Sequence, residues 1–386
     1  MTIKLGVIAL AGPENGGTYQ YTLSMLQALQ HISGFEITVY GDPQNKDFID
    51  LGYPVTRFAE SRRQQVVALV THRTHIALPD PFASEHIVLA PIYSLALLHT
   101  SKPFVFTLHD VQEIHYPENF PWLQRAWRHQ VNSQLLLHAR SVICESKQVK
   151  LDVMRAFGVP EDRAAVITAP PLQQFLAAPS DDRMQEVRRR LQLPEKFLFY
   201  PAQFWAHKNH LRLIEAFREV AAEVPDVSLV LTGNPRPIGH ARRRSGSTRT
   251  SDEYRAVISV IGQFGLSERV LHLGYVEQDD LQVIYRLATA LVMPSLFESV
   301  SIPIYEAFQV GTPVAASGIL AIPEQVGDAG LLFDPSSVAS IKQAILKIIK
   351  NPELARLLGK RGRDRMLTMT TERYGAQLQK LLDELR

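Results

Sequence analysis

Short apolar runs recur along the chain, with longer amphipathic stretches between many of them. Residues 3–10, 35–40, 87–90, 104–108, 141–144 and 165–168 make a first series of such runs. Residues 197–201, 227–232, 270–273, 290–293, 313–316 and 331–333 make a second. Most are unbroken rather than alternating, the pattern of parallel strands covered on both faces. Stretches 18–30, 121–139, 209–223, 252–264, 278–287 and 302–309 carry the helical period and fall between strands. Repeated strand–helix–strand units predict an α/β protein with two doubly wound domains.

The boundary between the two series falls at 170–194, which opens on Pro170-Pro171 and continues through Ala177-Ala178-Pro179-Ser180-Asp181-Asp182 into a charged helix. The tail from Pro352 to Arg386 reads as helix without a strand of its own, so it has to pack on something already built.

Composition narrows the class. Among 386 residues, 46% are hydrophobic and 21% charged, which excludes disorder across the whole chain. Lys plus Arg number 41 against 39 Asp plus Glu, so the balance does not suggest a nucleic-acid binder. The single cysteine, Cys144, excludes an internal disulfide framework and a four-cysteine zinc site, and its apolar strand setting predicts a core residue. The uncharged stretches at 87–101 and 307–323 fall short of the roughly 20 apolar residues that span a bilayer. The N-terminus lacks the basic region and cleavage site of a signal peptide. The expectation is a cytoplasmic protein, with contact at the inner face of a membrane left open.

The stretch Pro294-Ser295-Leu296-Phe297-Glu298-Ser299-Val300-Ser301-Ile302-Pro303-Ile304-Tyr305-Glu306 is the most informative. A strand runs into a loop and then into a helix opening near Pro303, a residue favoured in a helix's first turn. Free N–H groups of such a turn attract anions. Glu298 and Glu306 bracket the loop at the carboxyl end of a strand, where open α/β sheets bind ligands. Carboxylates suit paired sugar hydroxyls. On spacing alone, a solvated loop glutamate and a helix-dipole glutamate explain the pair equally well.

The surrounding motifs are more specific. Seven residues separate Glu298 from Glu306, which resembles the E-x7-E region of the retaining glycosyltransferases of family 4. Tyr200-Pro201-Ala202-Gln203-Phe204-Trp205-Ala206-His207-Lys208-Asn209-His210, then Val230-Leu231-Thr232-Gly233, Leu271-His272-Leu273-Gly274 and Ile322-Pro323-Glu324-Gln325-Val326-Gly327, follow in that family's order. The resemblance implies a GT-B fold, two Rossmann-like domains facing each other across a cleft. Residues 1–180 would be the acceptor-binding domain, 181–365 the nucleotide-sugar domain, and 366–386 a helix crossing back to the first.

The resemblance also assigns roles. Glu306 would bind the nucleotide ribose, Glu298 the donor hexose, and Lys208, opening the helix after the first strand of the second domain, the diphosphate. Gly16 and Gly17, in the loop after the first strand, would face the donor. His109, in Phe104-Val105-Phe106-Thr107-Leu108-His109-Asp110, would touch the donor sugar, with Asp110 an orienting group or helix cap. Two positions depart from the family. Its usual arginine five residues before the lysine is Gln203 here, which cannot make a charged fork to phosphate. Its glycine-rich loop is Ser299-Val300-Ser301, whose N–H groups remain as donors. The implied activity is metal-independent transfer of a hexosyl group from a nucleoside-diphosphate sugar to a glycan, lipid-linked or small-molecule acceptor, with no cofactor. The stretch from Phe204 to His210 is most similar to members acting on mannose- or rhamnose-type sugars. A GT-B-like epimerase and a non-catalytic nucleotide-sugar binder are the alternatives.

Other clusters carry weaker signals. His72/His75 and His207/His210 lack the third ligand and glutamate of a zinc helix. Trp122, Arg125, Trp127, Arg128 and His129 share one helical stretch that suits a membrane interface or ordinary packing. Arg236, Arg242, Arg243, Arg244 and Arg249 crowd one segment, a surface loop or a contact for a phosphate-bearing partner.

Overall fold

The computed structural model describes residues 2–76, 78–172, 178–234 and 247–385. The chain divides into two compact units, Met1–Leu172 with Met369–Arg386, and Gln173–Thr368.

The first unit is built on a 7-stranded sheet. Its strands are β1 (Ile3–Ala9), β2 (Phe35–Gly41), β3 (Val55–Arg57), β4 (Ile87–Ala90), β5 (Phe104–Leu108), β6 (Ser141–Cys144) and β7 (Ala164–Val166). They lie in the order β3-β2-β1-β4-β5-β6-β7, every pair parallel. The order reverses between β1 and β4, and such a switch point opens a crevice at the strands' carboxyl ends. β3 and the helix Arg62–Arg73 are elements that the apolar pattern does not predict.

Two apolar clusters fill the unit, one on each face of the sheet. Cys144 lies in one of them, fully buried, and burial pushes its thiol up to about 12. The other cluster contains the helix Gly17–Leu29 and, from the far end of the chain, Tyr374, Leu378, Leu381 and Leu382 of the helix Thr371–Asp383. Of the helical tail, Pro352–Met366 therefore belongs to the second unit and Thr371–Asp383 to the first.

The second unit has a 6-stranded sheet. Its strands are β8 (Phe197–Pro201), β9 (Ser228–Thr232), β10 (Val270–His272), β11 (Ala290–Met293), β12 (Val314–Ser317) and β13 (Gly330–Phe333). The order is β10-β9-β8-β11-β12-β13, again parallel, with the switch between β8 and β11. Gly233, just past β9, has φ 138°, and a Cβ there would stand 2.2 Å from the Ala202 carbonyl oxygen. Only glycine lets the two exits approach this closely.

Arg236, Arg242, Arg243 and Arg244 lie outside the described residues. No helix among the described residues is long and apolar enough to cross a membrane.

Candidate active site

In the second unit the switch point brings the exits of β8 and β11 together. Lys208 does not open a helix, as the resemblance implies. It ends the 3-10 turn Ala206–Lys208, and Asn209 separates it from the helix His210–Glu223. Asn209 is left-handed (φ 61°, ψ 34°), a conformation asparagine tolerates better than most residues. Its buried amide donates to the carbonyls of Pro294 at 2.9 Å and Pro335 at 2.8 Å. The buried Tyr200 hydroxyl donates to the Lys208 carbonyl at 2.7 Å. These bonds fix the lysine's backbone against the β11 exit. Burial and the adjacent lysine keep His207 and His210 neutral, each with its pKa lowered to about 3.

The Lys208 ammonium donates to Glu298 Oε1 at 2.6 Å, with the two side chains 16% and 11% exposed. A pair this sheltered is screened far less than a surface one. Gln203, exposed at the β8 exit five residues before Lys208, contributes no charge.

Glu306 lies on the helix Ile302–Val310 and is 5% exposed. The Tyr285 hydroxyl donates to its Oε2 at 2.7 Å. Burial, then the charge of Glu306, hold the Tyr285 pKa well above its usual value, so the phenol stays a donor. Of the loop between the glutamates, the Ser301 N–H is taken: it donates to Gln325 Oε1 at 2.9 Å. The remaining loop donors ahead of Pro303 are the N–H groups of Ser299, Val300 and Ile302.

In the first unit the candidate residues lie along neighbouring strand exits. After β1, a 3-10 turn at Pro13–Asn15 leads through Gly16 into the helix Gly17–Leu29. Gly16 has φ 54° and ψ −120°, a region that residues with a Cβ avoid, and open space where a Cβ would stand. His109 follows β5. Its Nδ1 lies 2.6 Å from Glu145 Oε2, beyond β6, and its Nε2 lies 2.9 Å from the Pro91 carbonyl, beyond β4. A carbonyl and a carboxylate only accept, so both ring nitrogens carry protons and His109 is an imidazolium. Burial opposes that charge. The Glu145 charge and hydrogen bond, with Asp110 and the Pro91 carbonyl, outweigh it and raise the pKa above the usual histidine value. With both nitrogens engaged, His109 presents a charge rather than a free ring nitrogen. Asp110 accepts from the Gln112 N–H at 3.0 Å and from Arg128 at 2.9 Å, which suits a cap.

Tyr285, Glu145, Asn209 and Gln325 hold the candidate residues, yet the sequence does not single them out. Among the described residues, no group of three or more His, Cys, Asp and Glu could hold a metal ion. Trp122 and Leu123 are 68% and 63% exposed, whereas Trp127 packs on the core and Arg128 bonds Asp110 and Glu113.

The chain superposes on sucrose-phosphate synthase from Thermosynechococcus elongatus with TM-score 0.75, 21% identity and 99% of each chain covered. It superposes on Anabaena Alr3699/HepE, solved in complex with UDP and glucose, with TM-score 0.76, 18% identity, 99% of this chain and 100% of that one covered. The fold is GT-B.

Residues 183–365 match the family described as "Glycosyl transferases group 1", and residues 15–169 match "Glycosyltransferase Family 4". The chain belongs to glycosyltransferase family 4. It is 25% identical to the O-antigen chain mannosyltransferase B of Escherichia coli over 69% of this chain and 66% of the relative. It is 22% identical to the O-antigen chain mannosyltransferase RfbU of Salmonella typhimurium over 89% and 90%. It spans only 26% of the length of the serotype-specific mannosyltransferase WbdA of Escherichia coli.

Proposed function

We propose that the protein is a retaining hexosyltransferase that uses a nucleoside-diphosphate sugar without a metal or cofactor. The observation that carries this reading is the Lys208–Glu298 pair at the β8/β11 switch point, with Glu298 on the loop that leads into the helix carrying Glu306. As the glycosidic bond breaks, the diphosphate gains negative charge. Lys208 and the N–H groups of Ser299, Val300 and Ile302 stabilise it. A phosphate oxygen that takes Lys208 frees Glu298 Oε1 to accept from sugar hydroxyls. Glu306, oriented by Tyr285, accepts from the ribose. The leaving phosphate takes the acceptor's proton, and attack is on the face the phosphate leaves.

The similarity to O-antigen mannosyltransferases favours mannose or a related hexose as the transferred sugar and a glycan, lipid-linked or not, as acceptor. Contact with a membrane's inner face is assigned to the exposed Trp122 and Leu123 beside Arg125. A thermal-shift screen of nucleotide sugars, followed by donor consumption with and without glycan acceptors, tests the reading. Consumption only with acceptor supports transfer. Binding without turnover in any acceptor would replace it with a nucleotide-sugar-binding role, the outcome Gln203 favours.

A further inference from the structure

Beyond β12 the chain reads Ile322-Pro323-Glu324-Gln325-Val326-Gly327. Pro323 suits the first turn of the short helix Ile322–Val326, which stops at Gly327. Ile322 and Val326 are 1% and 0% exposed, so both ends of the turn are anchored in the core. Between them Gln325, 4% exposed, reaches the loop from the adjacent strand β11. Its Oε1 accepts from the Ser301 N–H at 2.9 Å and its Nε2 donates to the Ser301 carbonyl at 2.6 Å. A carboxamide carries a donor and an acceptor in one plane, so it pairs with both polar groups of a peptide segment as a neighbouring strand would.

Ser301 needs this outside support. It is the N-cap of the helix Ile302–Val310, yet its side chain makes no capping bond. A capping serine normally accepts from an N–H two or three residues on. Here the residue two on is Pro303, which has none, and the Ile304 N–H goes to the Ser301 carbonyl at 3.2 Å. The Ser301 hydroxyl, buried, has no partner among the described residues. The loop's exit therefore depends on Gln325.

We propose that Gln325 is a positioning residue for the donor. By fixing Ser301 it sets the direction of the Ser299, Val300 and Ile302 N–H groups that receive the diphosphate. The inference rests on the reading of this loop as the diphosphate site. Preorganised donors bind without the cost of ordering the loop at each encounter.

The test uses the full chain, with UDP, GDP, ADP and dTDP as calorimetric probes and melting temperature as a second readout. Gln325→Met keeps the volume and removes both bonds. It is expected to weaken diphosphate binding about tenfold, the loss that goes with one or two backbone-directed hydrogen bonds. Gln325→Glu supplies the diagnostic. As a carboxylate it still accepts from the Ser301 N–H but repels the Ser301 carbonyl. Once protonated it donates to that carbonyl again. The ratio of its Kd to that of the wild type, measured at each pH, should therefore fall toward one as pH is lowered. A merely structural glutamine would lower the melting temperature and leave both Kd values unchanged, which would overturn the proposal. So would a Gln325→Glu ratio that does not depend on pH. If the wild type binds none of the four nucleotides, the diphosphate reading itself fails and the inference falls with it.

Discussion

Replacing Lys208 by alanine probes the proposed diphosphate site most directly, and the structure divides its effect into two parts. The first is chemical. A hydrogen bond from a charged donor is worth roughly 1.5–3 kcal/mol, and electrostatic stabilisation of a transition state ~3–4 kcal/mol. Gln203 supplies no second cation at this exit, so kcat/KM should fall about 10²–10³-fold. The second part is stability. Lys208 is no isolated surface lysine: its ammonium lies 2.6 Å from Glu298, which is 9% exposed. Truncation leaves that carboxylate buried without its counter-ion, at a cost of about 1–3 kcal/mol. The double variant Lys208→Ala/Glu298→Gln separates the two. Removing the unpaired charge should restore much of the melting temperature and none of the affinity for nucleoside diphosphate. Calorimetry with the diphosphate, thermal melts and initial rates on the three proteins decide the matter. Near-normal affinity and rate in Lys208→Ala would refute the placement of the diphosphate.

Three further outcomes are expected. The raised pKa of His109 means that its ion pair with Glu145 stabilises the first unit fully below the unfolded histidine value of about 6.5, and that this contribution is lost as pH rises through the higher folded value. Glu145→Gln should flatten that part of the melting-temperature profile, and an identical profile would count against the imidazolium. Truncation after Thr368 strips Tyr374, Leu378, Leu381 and Leu382 from the first unit's core, each worth about 1.5–3 kcal/mol of burial. The melting temperature should drop sharply, and an unchanged one would mean that the core closes without the last helix. Turnover should persist in excess EDTA, since charge neutralisation falls to Lys208 and backbone N–H groups; complete loss restored only by a divalent cation would contradict this.

Most of the fold was legible because parallel strands buried on both faces leave unbroken apolar runs, as in Phe104–Leu108 and Ala290–Met293. The elements that escaped lack that signature. β3 is three residues long at the sheet's edge, with Thr56 and Arg57 exposed. The helix Arg62–Arg73 turns Val66, Val67 and Val70 to solvent and buries only Ala68 and Leu69, so its apolar positions trace no core stripe. The site divides in the same way. Glu298, Glu306 and Lys208 sit in local motifs. Glu145, Gln325 and Tyr285 meet their partners across 36, 24 and 21 residues, through adjacency that sequence spacing does not encode.

That adjacency has a common form. Lys208, from the β8 exit, is held by Glu298 from the β11 exit. Ser301, from the β11 exit, is held by Gln325 from the β12 exit. His109, from the β5 exit, is held on one side from beyond β6 and on the other from beyond β4. In each case one strand exit supplies a residue and a neighbouring exit of the same sheet supplies the restraint. Residues that share a hydrogen-bonded network do not act independently, and their energetic effects fail to add. Substitutions at Lys208 and Glu298, or at His109 and Glu145, should thus be coupled, whereas Lys208 and Leu378, in different units, should combine additively. A candidate site built this way is read through its pairs, because a single substitution removes a chemical group and releases its partner in the same step.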